Sequence, residues 1–201
     1  KNLRPNLRTQ LDYEMNKNNL AGLVYQGNLN LFDNKSNNSY TNLNRFGEVY
    51  KISTRDNESK GNGYTHALTL SYTYKGKKNL AEVLRLILSG NISKNDNDRD
   101  FFQQFLNPGY IPTGIDSVQT QYFNSKNRSA SARLEYTKPQ RLKGSSFSGG
   151  VSYLLSDYHN YLNTAFQRKS DGVLVPNDLL SNDFFFVQNI FTARGGFSFL
   201  F

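Results

Sequence analysis

The chain has 201 residues and a mass of 23.0 kDa, with a formal charge of +8 from 24 basic and 16 acidic side chains. It has no Cys and only 2 His, which excludes disulfide scaffolds, thiolate zinc sites and Cys nucleophiles and nearly excludes a multi-histidine metal centre. No apolar run approaches the ~18 residues of a transmembrane helix, and 14% aromatic residues in a chain of mean hydropathy -0.65 argue against disorder. Lys and Arg are scattered, with no run longer than Lys77-Lys78, so no nucleic-acid partner is expected. The chain opens Lys1-Asn2-Leu3-Arg4-Pro5, with neither an initiator Met nor an apolar signal segment, as expected of a mature product or an excised fragment.

Period two dominates from the start. Leu7, Thr9, Leu11, Tyr13 and Met15 fall on one face, and Asn6, Arg8, Gln10, Asp12 and Glu14 on the other, a pattern of strand and not of helix. A turn at residues 16–19 precedes a second strand, in which Ala21, Leu23, Tyr25, Gly27, Leu29 and Leu31 oppose Gly22, Gln26, Asn28 and Asn30, with Val24 as an exception. The next hairpin sets Leu68, Leu70, Tyr72 and Tyr74 against Ala67, Thr69, Ser71 and Thr73. It turns at Gly76-Lys77-Lys78-Asn79 and returns with Leu80, Leu84, Leu86, Leu88, Gly90 and Ile92 against Ala81, Arg85, Ser89 and Asn91. A third hairpin alternates Ala130, Ala132, Leu134 and Tyr136 with Ser129, Ser131, Arg133 and Glu135, and turns through Pro139 and Gly144. It comes back with Phe147, Gly149, Val151, Tyr153 and Leu155 against Ser146, Ser148, Gly150 and Ser152. A seventh strand places Phe191, Ala193, Phe197, Phe199 and Phe201 opposite Thr192, Arg194, Ser198 and, imperfectly, Leu200.

Between the hairpins lie Asn-, Asp-, Ser- and Lys-rich stretches at 33–63, 94–126 and 158–182, read as long loops. Short turns at one end and long polar loops at the other suit an antiparallel transmembrane β-barrel segment, with about seven long strands, periplasmic turns and extracellular loops. A soluble sheet with one buried face is the alternative. Strand length favours the membrane, since soluble strands average ~5–6 residues. So does the Tyr just before each short turn (Tyr13, Tyr72 and Tyr74, Tyr136), which fits a membrane-interface girdle, and so do charges on the polar face that suit a wet lumen. Seven is an odd count where bacterial barrels are even, starting at eight. Either a strand hides at 46–53, where Tyr50 and Ile52 alternate with Val49, Lys51 and Ser53, or residues 1–201 are a slice of a larger barrel without its plug. The slice is preferred.

The block PNLRTQLDYEMNKNNLAGLVYQGNLN (5–30) resembles the barrel hairpins of the outer-membrane β-barrel family among TonB-dependent receptors of Bacteroidota-type bacteria, and ALTLSYTYKGKKNLAEVLRLILSGNIS (67–93) resembles the hairpin that follows. The resemblance lies in the texture of hairpins and Asn-rich loops over most of the chain. It implies a roughly twenty-two-stranded plugged barrel importing a bulky nutrient across the outer membrane of a Gram-negative bacterium. The implied partners are outer-membrane lipid, the rest of the barrel and plug, the TonB system acting through that plug, and a surface lipoprotein. No cofactor is implied. The other function considered is a structural barrel component of a secretion or assembly complex without a transported ligand.

Other constellations are weak. Asp96, Asp98 and Asp100 have calcium-loop spacing, but Phe101 and Asn107 stand where Gly and Glu are needed, so a solvated loop tip is expected. His66, at a strand start, and His159, in a loop, read as surface residues. SFSGG (146–150) is an alternating strand and not a nucleophile elbow, so Gly149 and Gly150, like Gly195-Gly196, are expected to permit curvature or close approach. No catalytic pair stands out, and no enzyme is expected. Phe101, Phe102 and Tyr110, in the aromatic stretch 101–112, are the candidate loop contacts to a ligand, against a plain packing role; residues 158–166 are similar.

Overall fold

A computed structural model describes residues 1–140 and 145–199, and all of its regular structure there is β. The strands are β1 (Asn2–Leu3), β2 (Asn6–Asn16), β3 (Asn19–Leu43), β4 (Val49–Lys75), β5 (Val83–Leu106), β6 (Ser117–Pro139), β7 (Ser146–Gln167), β8 (Leu174–Pro176) and β9 (Asn182–Ser198). They form one antiparallel sheet in which each long strand lies beside its sequence neighbour. The fragments β1 and β2 share the edge along β3, and β8 and β9 share the edge along β7. Seven long strands therefore make the sheet, and among the described residues the edges β2 and β9 do not pair with each other.

Strand length is where expectation and structure part. The segments read as long loops are mostly ladder: β3 has 25 residues, β4 27, β5 24 and β6 23. At ~3.4 Å per residue, β4 is about 90 Å long, more than twice what a tilted bilayer crossing needs. The true connections at that end are 44–48, 107–116 and the 168–181 segment that contains β8. Residues 49–53 open β4 and are no additional strand. The second short turn runs on to Glu82, so Leu80 and Ala81 belong to it: the Asn79 side chain accepts from Ala81 N–H at 3.0 Å and Glu82 N–H donates to the Asn79 carbonyl at 3.0 Å. Gly144, Leu200 and Phe201 lie outside the described residues.

The pairing of the polar stretches has a local cause. Asp33 faces Lys60 and Lys60 faces Asp98, while Lys35 faces Glu58. Asn37 donates to the Asp56 carboxylate at 2.5 Å, Ser59 to Asn97 at 2.9 Å and Ser125 to Asn160 at 2.7 Å. Opposite charges and amides across the ladder do here what apolar pairs do lower down.

Candidate functional site

Register turns the alternation of single strands into continuous rows across the sheet. Leu11, Leu23, Leu70, Leu88, Ala132, Tyr153 and Phe191 form one unbroken row over all seven long strands. The next row toward the short turns is Tyr13, Ala21, Tyr72, Leu86, Leu134, Val151 and Ala193. On the other face the corresponding rows read Gln10, Val24, Thr69, Ser89, Ser131, Leu154, Ile190 and Asp12, Gly22, Ser71, Ile87, Arg133, Ser152, Thr192.

The burial is inverted relative to a water-soluble sheet. Leu70, Leu88 and Leu155 on the central strands are 41–44% exposed, whereas Ser156 on the polar face is 1% exposed. Among the described residues Ile52 is the one buried apolar side chain, so no hydrophobic core exists. Apolar patches beyond a few hundred Å² are rare on soluble monomers. This band crosses the full width of one sheet face, so an apolar solvent must cover it. Between Tyr64 and Tyr74 it spans ten steps of β4, about 34 Å of strand and roughly 25 Å of height at the usual tilt, the thickness of a barrel's lipid-facing belt.

The tyrosines singled out by sequence gather at the short-turn margin of this face. Tyr13 and Tyr72 share one row, and Tyr74 and Tyr136 share the row next to it. Two of the hydroxyls reach polar groups at the turns: Tyr72 donates to the Asn19 side chain at 2.5 Å and Tyr136 to Glu82 at 2.5 Å. A second polar-aromatic margin, unmarked by the turn signal, lies at the opposite edge of the band. There the Tyr25 hydroxyl meets His66 Nδ1 at 2.7 Å and Tyr64 packs on the same ring at 5.4 Å. His66 thus sits well inside β4, and His159 lies in β7 beside Asp183 at 2.6 Å; neither opens a strand or occupies a loop. Asn189, a polar break in the apolar stripe of β9, is met by the Tyr153 hydroxyl at 2.8 Å.

The polar face holds a charged cluster near the short turns. Glu135 accepts from Arg133 at 2.5 Å and also contacts Arg194, which reaches it across Gly150. A Cβ on Gly150 would stand 2.9 Å from the Leu134 carbonyl and 3.6 Å from Arg194 Nε. The close approach expected of this glycine is an ion pair passing over it.

Beyond the band the hairpins carry the other candidates, which the structure separates. Phe101 is in β5 on the polar face under the Arg55 guanidinium, 4.4 Å from its ring centre. Phe102 is on the opposite face, opposite Asp56 and Val118. Tyr110 is at the tip of the 107–116 connection, 70% exposed, with a left-handed φ of 62°. Sequence reasoning missed Phe184 and Phe186, stacked at 6.4 Å on Phe101's face; Tyr158, beside Phe186, falls in the 158–166 stretch already singled out. The alternating Phe of DFFF was the available signal.

Asp96, Asp98 and Asp100 are on β5, not at a loop tip. The extended backbone spaces them about 7 Å apart, and Asp96 is engaged by Lys94 at 2.5 Å, so the trio does not converge as a calcium loop does. Outside the band, hydrogen bonds from Lys60 and Lys35 hold Glu58 below its ordinary value, and Glu58 in turn raises Lys60.

A family model described as "Outer membrane protein beta-barrel family" matches residues 77–200, more than half of the chain. No curated protein matches the sequence.

Proposed function

The chain belongs to the outer membrane protein beta-barrel family, an all-β protein of the Gram-negative outer membrane, and from that premise we propose that it forms part of the wall and extracellular hairpins of a TonB-dependent receptor importing a nutrient. The residues are read as a contiguous slice of a larger barrel whose plug couples to TonB. The observation that carries this reading is the pair of hairpins β3–β4 and β5–β6, which run far past the apolar band and there present Asn, Gln and Ser with Phe101 on the same face as the wet wall below. Flat rings among amides suit a bulky polar solute such as an oligosaccharide or peptide. The wall itself is passive. Its polar face would meet the plug, and exposed Tyr110 and Ile111 at one tip and Leu179 at another would meet a surface lipoprotein. The Tyr13, Tyr72, Tyr74 and Tyr136 rings would anchor at the periplasmic headgroups.

The test is made in the intact receptor. Phe101→Ala and Tyr110→Ala are expected to lower ligand affinity or uptake about tenfold each, the worth of a stacked ring, with barrel abundance unchanged. Unchanged uptake in both variants would leave these side chains a packing role. A full-length gene without a plug domain would favour the structural barrel component instead.

A further inference from the structure

We infer that the outward face carries a site for a phosphorylated, acylated lipid of the outer leaflet, where β5, β6 and β7 leave the apolar band. The inference rests on the membrane placement of the sheet and not on the importer reading. One row across the sheet sets Gly90 of β5 beside Ala130 of β6, flanked by Leu68 of β4 and Leu155 of β7. A glycine and an alanine between two leucines leave a groove of about 670 Å³, and a second depression of about 400 Å³ shares those four residues and continues toward Tyr153. The groove thus runs along the strands into the apolar band, as an acyl chain would.

Cations stand over its extracellular end. Arg128 follows Ala130 on the same face of β6, two residues nearer the hairpin tip, and Lys126 follows Arg128, directly opposite Lys94. Asp96 neutralises Lys94 at 2.5 Å and Asp183 is held on His159 at 2.6 Å, so the cations left for an external anion are Lys126 and Arg128. Asp157 faces Arg128 in register, yet among the described residues no carboxylate comes within 4.0 Å of Arg128 or Lys126. Lys126 and Arg128 are two residues apart on one extended strand, about 7 Å, a span that one phosphate bridges. The continuation of this charge into a groove lined by Leu68, Ile92 and Leu155 selects a lipid over a free anion.

The experiment uses the intact outer-membrane protein in nanodiscs of phosphatidylcholine doped with bisphosphorylated lipid A or with its dephosphorylated form, and reads bound lipid by native mass spectrometry. The phosphorylated form should be retained preferentially. Lys126→Gln with Arg128→Gln should weaken that retention about thirty-fold, since each basic residue at an anionic lipid surface contributes about fivefold. Gly90→Leu should weaken it with the cations intact, because a Cβ there meets nothing closer than the Ser129 carbonyl at 3.9 Å and the side chain fills the groove. Equal retention of the two lipid A forms by the unaltered protein, a comparison needing no variant, would overturn the proposal. So would unchanged retention in both variants, or displacement of the lipid by inorganic phosphate.

Discussion

Glu135 shows how one side chain depends on its neighbours' neighbours. It pairs in register with Arg85, accepts from Arg133, and touches Arg194 two strands away because Gly150 between them has no side chain. Arg133 and Arg194 are substantially exposed, so each pair is worth little after screening. Glu135→Gln is expected to lower barrel stability by about 1 kcal/mol in urea titrations from lipid vesicles. Gly150→Val should cost more, because its Cβ would meet the Leu134 carbonyl at 2.9 Å and also separate the pair. If the Val variant were no less stable than the Gln variant, the close approach would not matter. From sequence, Gly149 and Gly150 stand on opposite faces of one strand and share one expectation, curvature or close approach. The distinction between them is made by the register with β6 and β9, which puts Glu135 and Arg194 on either side of one and Tyr136 and Gly195 beside the other.

The elements owe their unexpected length to charge. Glu58 lies between Lys35, 3.0 Å away, and Lys60, whose hydrogen bonds hold its carboxyl below the ordinary 4.5. A carboxyl lowered in the folded state contributes stability that is present above 4.5 and lost as pH falls through the lowered value. Hydrogen-exchange protection at residues 35–37 and 56–60, taken relative to the intrinsic rate at each pH, should accordingly be unchanged between neutrality and mild acid, then fall below 4.5. Glu58→Gln should abolish the step; a step of the same size in that variant would assign it elsewhere. The length also predicts topology. The chain has no Cys, so Asn37→Cys, in the extension of β3, should react with a membrane-impermeant maleimide on intact cells. Lys17→Cys, in a short turn, should react only after the outer membrane is opened. Labelling of both alike on intact cells would contradict the orientation. These extensions escaped the sequence because both of their faces are wet. With no apolar contrast, period two disappears, and Asn, Asp and Ser read as loop although they pair as ladder.

At the scale of the molecule, the two faces make opposite demands. Leu70→Arg or Leu88→Arg, in the middle of the apolar band, should destabilise insertion by about 2–4 kcal/mol, seen as loss of folded protein from outer-membrane fractions. Ser131→Arg, on the polar face of the neighbouring β6, should be tolerated. Equal damage at Ser131 and Leu88 would mean that neither face meets water. Among the described residues β2 and β9 do not pair with each other, and since unpaired strand edges cannot stand in hydrocarbon, the proposed slice of a larger barrel would place further strands beside them.

What the sequence determined on its own was everything carried by alternation within one strand: seven long strands, their antiparallel order, an apolar and a polar face for each, and from these the membrane barrel. Tertiary structure decided what lies beside what. It extended the strands through the polar segments, parted Phe101, Phe102 and Tyr110 among two faces and a tip, and set Gly90 next to Ala130 beneath Arg128. The reason is physical: which face a side chain takes follows from its own backbone, every second residue, whereas its cross-strand neighbour depends on register, a property of two strands that neither one encodes alone.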